Sequence, residues 1–536
     1  MEKMLKARID GRNMEDDFEI IDAILEARNI EDLDSFLYPN EEDILPLEAL
    51  KNIDKAAQAI LDGVCMNDTF LVYYDTDVDG CTSGSIATRY LQHLGADVYT
   101  YINEGKKHGI DGFDTDLLDG IDIVWIVDSI QTSIDAYKKL LDKNVQIIIT
   151  DHHLVSEKLQ QEMKDLGIIL VSSAVEYGNP DLSGSATTWK LCQYMDFLNL
   201  DDFSDCLIDL AATGLVSDMC SMVSPENRAI CDKAFKNLKN PGIKKINGGY
   251  AFVSRNISFG VAPKINAANR VNENDLAMKV FLSDDEDEIN EIIKGLNQCR
   301  EKQNQIVDEI MPDLIKQGDE QLGAKCKFFF IPSKMDAEIS GLLGNKLLEM
   351  YATPLLVVGQ HGDEYSGSAR AIGVNSFKKY FEDVGIGWSG GHPNAFGCGV
   401  PVSQFEEFKK KILNALSEVE FISETTADIQ VSPEQVTDVF IKNLSSINRI
   451  SGADFEPINV MIETDNYDVK NMSGGKHLKI VDNDTGMIFV KWNYNGSWDF
   501  NGVFRAIGTL ERAHYGRTDY KQLTIQDIDT YTQQND

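Results

Sequence analysis

Three aspartates, Asp75, Asp77 and Asp79, stand at alternate positions where the apolar run LVYYDTDVDG (71–80) ends. Carboxylates this close raise the cost of ionising one another, so the pattern calls for a cation or full solvation. Two further apolar runs stop at the same residue type. IDIVWIVD ends at Asp128, and VQIIITD ends at Asp151 and continues into His152 and His153. One aspartate after a strand is ordinary turn chemistry. Three of them plus two adjacent imidazoles, all between residues 75 and 153, make a metal site the better reading. DTDVDG lacks the downstream glutamate of a calcium loop. Mixed oxygen and imidazole donors suit Mn²⁺, Zn²⁺ or Fe²⁺, whereas an all-oxygen set would favour Mg²⁺ or Ca²⁺.

Such residues do chemistry only if strands deliver them to one place. From residue 69 short β-rich runs alternate with helix-like segments: TFLVYYD, CTSGSIATRYLQHLG, ADVYTYI, IDIVWIVD, SIDAYKKLLDKN and VQIIITD. This is the βαβ pattern of a doubly wound parallel sheet. In that architecture ligands bind outside the carboxyl ends of the strands, where all three aspartate-terminated runs finish. Ahead of it, residues 1–66 read as an acidic helical lead-in, with helical spacing in FEIIDAILEARNI and IDKAAQAILDGV.

Bulk composition narrows the class. The 536 residues suffice for several domains, and 43% apolar with 26% charged residues is a globular balance. No apolar run reaches transmembrane length, and the first twenty residues lack a signal-peptide core. Nine scattered cysteines without a CxxC pair argue for a reducing, cytoplasmic setting. The formal net charge of −37 excludes nucleic-acid binding spread over the whole surface. Any such role needs a local basic groove or metals. Basic residues are denser toward the C-terminus, where Lys476, Lys479, Lys491, Arg505, Arg512 and Arg517 accompany Trp492, Tyr494, Trp498, Phe500 and Phe504.

DTDVDG, VDS, TDHH and LAATGLVSDM resemble motifs I to IV of the DHH phosphoesterase superfamily. Within it the chain is similar to the RecJ exonucleases over about residues 20–530. LEARNIEDLDSFLYP resembles their lead-in, and FGVAPKINAANRVNENDLAMKVFL the end of their catalytic domain. GSARAIG and WSGGHPNAFG resemble the associated DHHA1 domain, and residues from about 430 resemble their OB-like domain. The resemblance implies an α/β fold. A DHH domain with a doubly wound parallel sheet (67–270) would follow the lead-in (1–66). A long connector helix (271–318), a smaller α/β DHHA1 domain (319–425) and a C-terminal OB-like β-barrel (426–536) would complete the chain. The connector, with helical spacing and no breaker before Pro312, would place the active site in a cleft between domains, narrow enough for one strand.

The same resemblance implies two ions, Mn²⁺ or Mg²⁺, held by Asp75, Asp77, Asp128, His152 and Asp218. Asp128 would be the bridging carboxylate, and Asp79 a direct or supporting ligand. Asp151 would orient the His152 imidazole by a hydrogen bond, and His153 would touch the scissile phosphate. An Asp at a helix C-terminus is unfavourable without compensation, which a metal at Asp218 would supply. Ser368 and Arg370, the glycine-rich loop with Gly390, Gly391 and His392, and Asn266 and Arg270 would bind substrate. Leu71 stands where several small-substrate relatives carry a His four residues before motif I, which tilts the resemblance toward nucleases. The implied activity is 5′-to-3′ hydrolysis of single-stranded DNA to mononucleotides in repair or recombination, with a single-strand binding protein as partner and no membrane. The alternatives are a phosphodiesterase of short oligonucleotides or cyclic dinucleotides, and an inactive DHH replication scaffold.

Overall fold

The computed structural model describes residues 4–14, 16–102, 110, 113–131, 133–333, 339–419, 424–494, 500–515 and 518–531. Trp498 and Arg517 lie outside these residues. Among the described residues no helix is long and apolar enough to cross a membrane. The chain divides into two units, one of residues 14–300 with 437–458, the other of residues 1–13, 301–436 and 459–536.

The first unit is built on a five-stranded parallel sheet. Its spatial order is Asp97–Ile102, Thr69–Tyr74, Ile123–Val127, Gln146–Asp151, Ile169–Ser172. Chain order therefore reverses between Thr69–Tyr74 and Ile123–Val127, and that switch point is the expected ligand crevice of a doubly wound sheet. Side chains alternate faces along each strand. Leu71, Tyr73, Val124, Ile126, Ile147 and Ile149 face one layer with Tyr137, Leu140, Leu159 and Met163 from helices Ile134–Leu141 and Glu157–Asp165. Helices Val78–His93 and Gly184–Asn199 pack against the sheet as well, with Trp125 fully buried and its Nε1 donating to Thr150 Oγ1 (3.1 Å).

Buried polar groups tie the later helices of this unit to its N-terminal segment. Arg228 is 2% exposed. It donates to the carbonyls of Phe36, Met222 and Ile450, and its guanidinium lies 3.6 Å from the Phe36 ring centroid. Lys190 and Glu226 meet at 2.6 Å with side chains 0% and 2% exposed.

The second unit contains two sheets. One is five-stranded, in the order Trp388–His392, Ala395–Pro401, Glu364–Arg370, Leu355–His361, Phe329–Ser333. Its core holds Phe330, Leu356, Phe377, Phe381, Phe396 and Phe408. The other is eight-stranded and mixed, running from Met4–Asp10 through Glu424–Val431, Val460–Thr464, Val503–Tyr515, Thr518–Tyr531, Ile488–Lys491 and His477–Asp482 to Tyr467–Met472.

Three expectations change here. Residues 1–66 are not helical throughout: Met4–Asp10 is a strand, parallel to Glu424–Val431 with Met4 opposite Glu424. Its alternation in MLKARID is short enough to be lost beside the helical pattern that follows. The connector is helix Glu286–Gly323, which continues through Pro312, while Asn274–Leu282 forms a separate helix. Residues 437–458 belong with the first unit rather than with a C-terminal domain. Arg449 pairs with Asp232 there, and Ser254 N–H donates to the Arg449 carbonyl.

Candidate metal centre

The three aspartates of DTDVDG have three different surroundings. Asp75, 4% exposed, follows strand Thr69–Tyr74 and accepts from the Thr76 amide at 2.6 Å. Asp77 is the N-cap of helix Val78–His93, accepting from Gly80 N–H at 2.9 Å, the usual role of Asp at that position. Asp79 points inward, 1% exposed, and accepts from Gly184 N–H (2.7 Å) and Ser185 N–H (3.1 Å). It thus caps the start of a second helix, 105 residues further along the chain.

Asp128 follows the strand on the other side of the switch point. Its φ of 50° is left-handed, a strained conformation for a residue with a Cβ. The peptide is held there by Asp128 N–H donating to the Thr150 carbonyl (2.9 Å). A Cβ at Gly184 would come within 2.6 Å of Asp128 Oδ1, so the absent side chain makes room for the carboxylate.

Asp151, 0% exposed, accepts from the amides of Ile130 (2.7 Å), His152 (2.6 Å) and His153 (2.7 Å) and from His153 Nδ1 (2.8 Å). The expectation that it orients the His152 imidazole is therefore corrected: the ring it holds is that of His153. Burial would raise the Asp151 carboxyl, but the His153 ring and the surrounding donors bring it below the ordinary carboxylate range. In return His153 is pushed up to about 9, chiefly by its hydrogen bond to Asp151. An imidazolium with half its side chain in solvent results.

His152 takes the central place. Its Nε2 lies 3.2 Å from Asp128 Oδ1, 3.5 Å from Asp218 Oδ2 and 3.9 Å from Asp79 Oδ2. Asp218 caps the C-terminus of helix Ile208–Ser217. Two sets of side chains, sharing His152, bring all their donor atoms within 4.8 Å of one another: Asp128, His152 and His153, the last a donor only when its ring is deprotonated, and Asp79, His152 and Asp218; the expected ligands Asp75 and Asp77 are in neither set. Donors about 2.1 Å from a shared ion stand roughly 3.0–3.4 Å apart, the spacing of His152 from Asp128.

Electrostatics point the same way. Asp128 Oδ1 is buried and makes no hydrogen bond, although His152 Nε2 is close. Burial raises the Asp128 carboxyl well above its ordinary value, and Asp79, Asp77, Asp151 and Asp75 raise it further. Burial, then Asp79 and Asp77, push Asp218 up to about 8. The carboxylates outnumber the two imidazoles beside them, and buried acids in such excess are stable as anions only around a cation. The donor set therefore fits a divalent ion.

Of the remaining expected residues in this unit, Asn266 and Arg270 lie on helix Ala262–Arg270, both half-buried. The residue of that helix that touches motif I is Asn269, whose Nδ2 donates to the Thr76 carbonyl and whose Oδ1 makes no hydrogen bond. Gly184, Ser185 and Asn269 were missed from the sequence. The small-residue run SGSAT, with Ser183 as N-cap, was the available signal for the first two.

In the second unit Ser368 and Arg370 share strand Glu364–Arg370. Ser368 Oγ is 2.9 Å from Ser340 Oγ, and Arg370 Nε donates to Asn345 Oδ1 at 2.6 Å. Gly390, Gly391 and His392 form a strand, not a loop, closing a two-residue hairpin turn with His392 opposite Ala395. All three are exposed, and Gly391 has φ 121°. Lys378 Nζ donates to the Gly391 carbonyl (3.1 Å), which places a cation at this strand. In the eight-stranded sheet Phe504 is core, and Arg505 is bound to Asp529 at 3.0 Å. Trp492 is 43% exposed beside His477, and Lys470 stands opposite Lys479 on neighbouring strands.

A cavity of about 600 Å³ lies at the other edge of the parallel sheet, where its strands begin, lined by Asp68, Gln146, Ile169 and Tyr194 among others. It contains none of these carboxylates.

The sequence matches the family model of the DHH family N-terminal domain over residues 69–215 and that of the DHHA1 domain over 323–418. It is 27% identical over 419 residues to YorK, an SPbeta prophage-derived protein of Bacillus subtilis strain 168, covering 72% of each chain. It is 25% identical over 439 residues to the single-stranded-DNA-specific exonuclease RecJ of the same organism, covering 78% of this chain and 54% of that one. The fold is similar to that of RecJ from Thermus thermophilus in complex with Mn²⁺, with a TM-score of 0.80 at 19% identity, over 98% of this chain and 80% of the other.

Proposed function

The chain is a RecJ-like protein with DHH and DHHA1 domains, and from that premise we propose that it is a divalent-metal-dependent exonuclease. It hydrolyses the phosphodiester bonds of single-stranded DNA from the 5′ end and releases mononucleotides. The observation that carries this reading is Asp128: a buried carboxylate at the sheet's switch point, surrounded by acids, with an oxygen that makes no hydrogen bond. The similarity to single-strand-specific exonucleases supplies the substrate class.

Asp75, Asp77, Asp128, His152 and Asp218 would hold two ions, Mn²⁺ or Mg²⁺, with Asp79 completing the second set. Bound divalent ions supply Lewis acidity toward water and phosphoryl oxygens. The chain's own residues do the rest. Asp151 fixes the peptide and the His153 ring. His153, held as the cation, faces solvent at the mouth of the site and binds the scissile phosphate. Asp79 keeps the N-terminus of helix Gly184–Asn199 against the cluster through the Gly184 and Ser185 amides. Arg370 and His392, with Ser368, Gly390 and Gly391, bind further phosphates of the strand. Arg270 and Asn266 act as supporting contacts. Exposed Lys470, opposite half-buried Lys479, and Trp492 suit a single strand by charge and by base stacking.

The test is an exonuclease assay in Mn²⁺ on strands labelled at either end, beside a duplex and a dinucleotide. Ordered release of mononucleotides from the 5′ end is expected. Preferential cleavage of the dinucleotide would replace this reading with that of a short-oligonucleotide phosphodiesterase.

A further inference from the structure

Helix Ile208–Ser217 ends in a hydrogen bond from Cys220 N–H back to the Leu215 carbonyl (3.1 Å), with Asp218 as its cap and Met219 following at φ 57°. This closing turn takes a left-handed residue at the position of Met219, most often glycine because a Cβ there costs about 1 kcal/mol or more. Here the position carries a long apolar side chain that is 57% exposed. The chain thus accepts both backbone strain and exposed apolar surface at the residue directly after a metal ligand. Strain of this kind persists where the surroundings use it. Leu154, next after His153, is 90% exposed. Met219 adjoins the ligand Asp218 and Leu154 adjoins the phosphate-binding His153, and adjacent Cα atoms are about 3.8 Å apart, so two exposed apolar residues spring from the backbone that carries the cluster.

The groups already described address phosphate and metal. A nucleotide also presents a flat, polarisable base, which the acids cannot bind. A thioether is well suited to an aromatic face. We propose that Met219, assisted by Leu154, is the surface on which the base of the released nucleotide rests. The inference rests on the phosphodiesterase reading for its substrate class.

Leu200 provides an internal control. It too is a large apolar residue at positive φ (57°) after a helix, and it is 95% exposed. It ends helix Gly184–Asn199, whose first residue touches Asp128, so it lies roughly 24 Å from the cluster by helix geometry.

The experiment compares Met219→Gly, Met219→Leu and Leu200→Gly in the full chain. Three quantities are read: the thermal midpoint, the affinity of the Mn²⁺-loaded protein for dAMP, and KM and kcat on strands with a normal or an abasic terminal nucleotide. Both glycine variants should melt at or above the wild-type temperature. Met219→Gly should weaken dAMP binding and raise KM on the normal strand about five-fold, with kcat little changed and no effect on the abasic strand. Met219→Leu should restore most of the loss, and Leu200→Gly should show none. A lowered melting temperature for Met219→Gly, an unchanged dAMP affinity, or an equal loss on the abasic strand would overturn the proposal. If wild type bound dAMP but cleaved no strand, the nuclease reading would fall while the dAMP comparison still decided the role of Met219.

Discussion

Glu226 and Asp128 are buried acids of the same unit, 2% and 1% exposed, with opposite surroundings. Glu226 receives Lys190 Nζ at 2.6 Å, Tyr177 OH at 2.7 Å, Asn179 Nδ2 at 3.0 Å and the Leu45 amide at 3.2 Å. Lys190 also donates to the Leu45 carbonyl. The chain there supplies its own counter-charge and its own donors, and the cluster holds the N-terminal segment, two helices and a loop together. Asp128 has four aspartates that raise its carboxyl, an oxygen that makes no hydrogen bond, and His152 Nε2 at 3.2 Å as its near nitrogen, with no lysine or arginine beside it among the described residues. An acid that is neutralised from within is structural. One that is left for something external to neutralise marks where an ion belongs.

The sharpest break of that comparison is the double change Asp75→Ala, Asp77→Ala. Activity in Mn²⁺ should fall by about a thousand-fold or more, the scale of several kcal/mol of metal stabilisation of the transition state. Melting of the variant should no longer respond to Mn²⁺, whereas wild type gains stability from it by mass action. A variant still protected by Mn²⁺ would place the ion on the sets Asp128, His152, His153 and Asp79, His152, Asp218, which contain neither residue, and would remove Asp75 and Asp77 from the ligands.

The opposite outcome is expected at the neutralised cluster. Lys190→Met leaves Glu226 buried without its cation and should cost about 3–5 kcal/mol of stability, read by denaturant unfolding. Activity per folded molecule should be unchanged. A loss of activity at full folding would mean that this cluster is coupled to the metal centre after all.

Gly184→Ala tests how tightly the cluster is built. The added Cβ meets Asp128 Oδ1 at 2.6 Å, and overpacking of this kind costs about 1–3 kcal/mol. Because the displaced atom is a metal donor, the apparent Mn²⁺ affinity, followed by titration calorimetry, should fall together with stability.

The last test is pH. The Asp218 carboxyl is pushed from 3.8 up to about 8, first by burial and then by Asp79 and Asp77; Asp128 moves in the same direction. Between those limits the folded, metal-free protein binds more protons than the unfolded chain, so its stability should decline as pH rises from about 4 to 8. Mn²⁺ takes the place of those protons, so its affinity should climb over the same window and level off above it. Melting curves in chelator and in Mn²⁺ at several pH values would show the two trends diverging. Parallel curves would mean that Asp218 is not a ligand.

Much of this site was legible in the chain. Apolar runs ending in Asp75, Asp128 and Asp151 announced both the parallel sheet and the edge at which chemistry sits, because strand period and strand length are local properties. Residue types gave the donor chemistry for the same reason. Partners at long range were not legible. Asp79 was read as part of a local trio, yet its amide donors are 105 and 106 residues away. Which imidazole Asp151 holds is not legible in the chain either, because both rings follow it closely in sequence and only the turn geometry selects His153.

The sequence by itself determined which side chains are available and which element carries each: three strand-end aspartates, two histidines, and an aspartate closing a helix. Tertiary structure alone decided what each carboxylate faces. It set Asp128 in a left-handed turn, aimed Asp79 at a distant helix, gave Lys190 to Glu226 and no lysine to Asp128. It also paired Met4–Asp10 with Glu424–Val431. The physical reason is that conformation follows from neighbours a few residues away. Charge compensation depends on distance in space and on exclusion of water, and neither exists until the chain has folded.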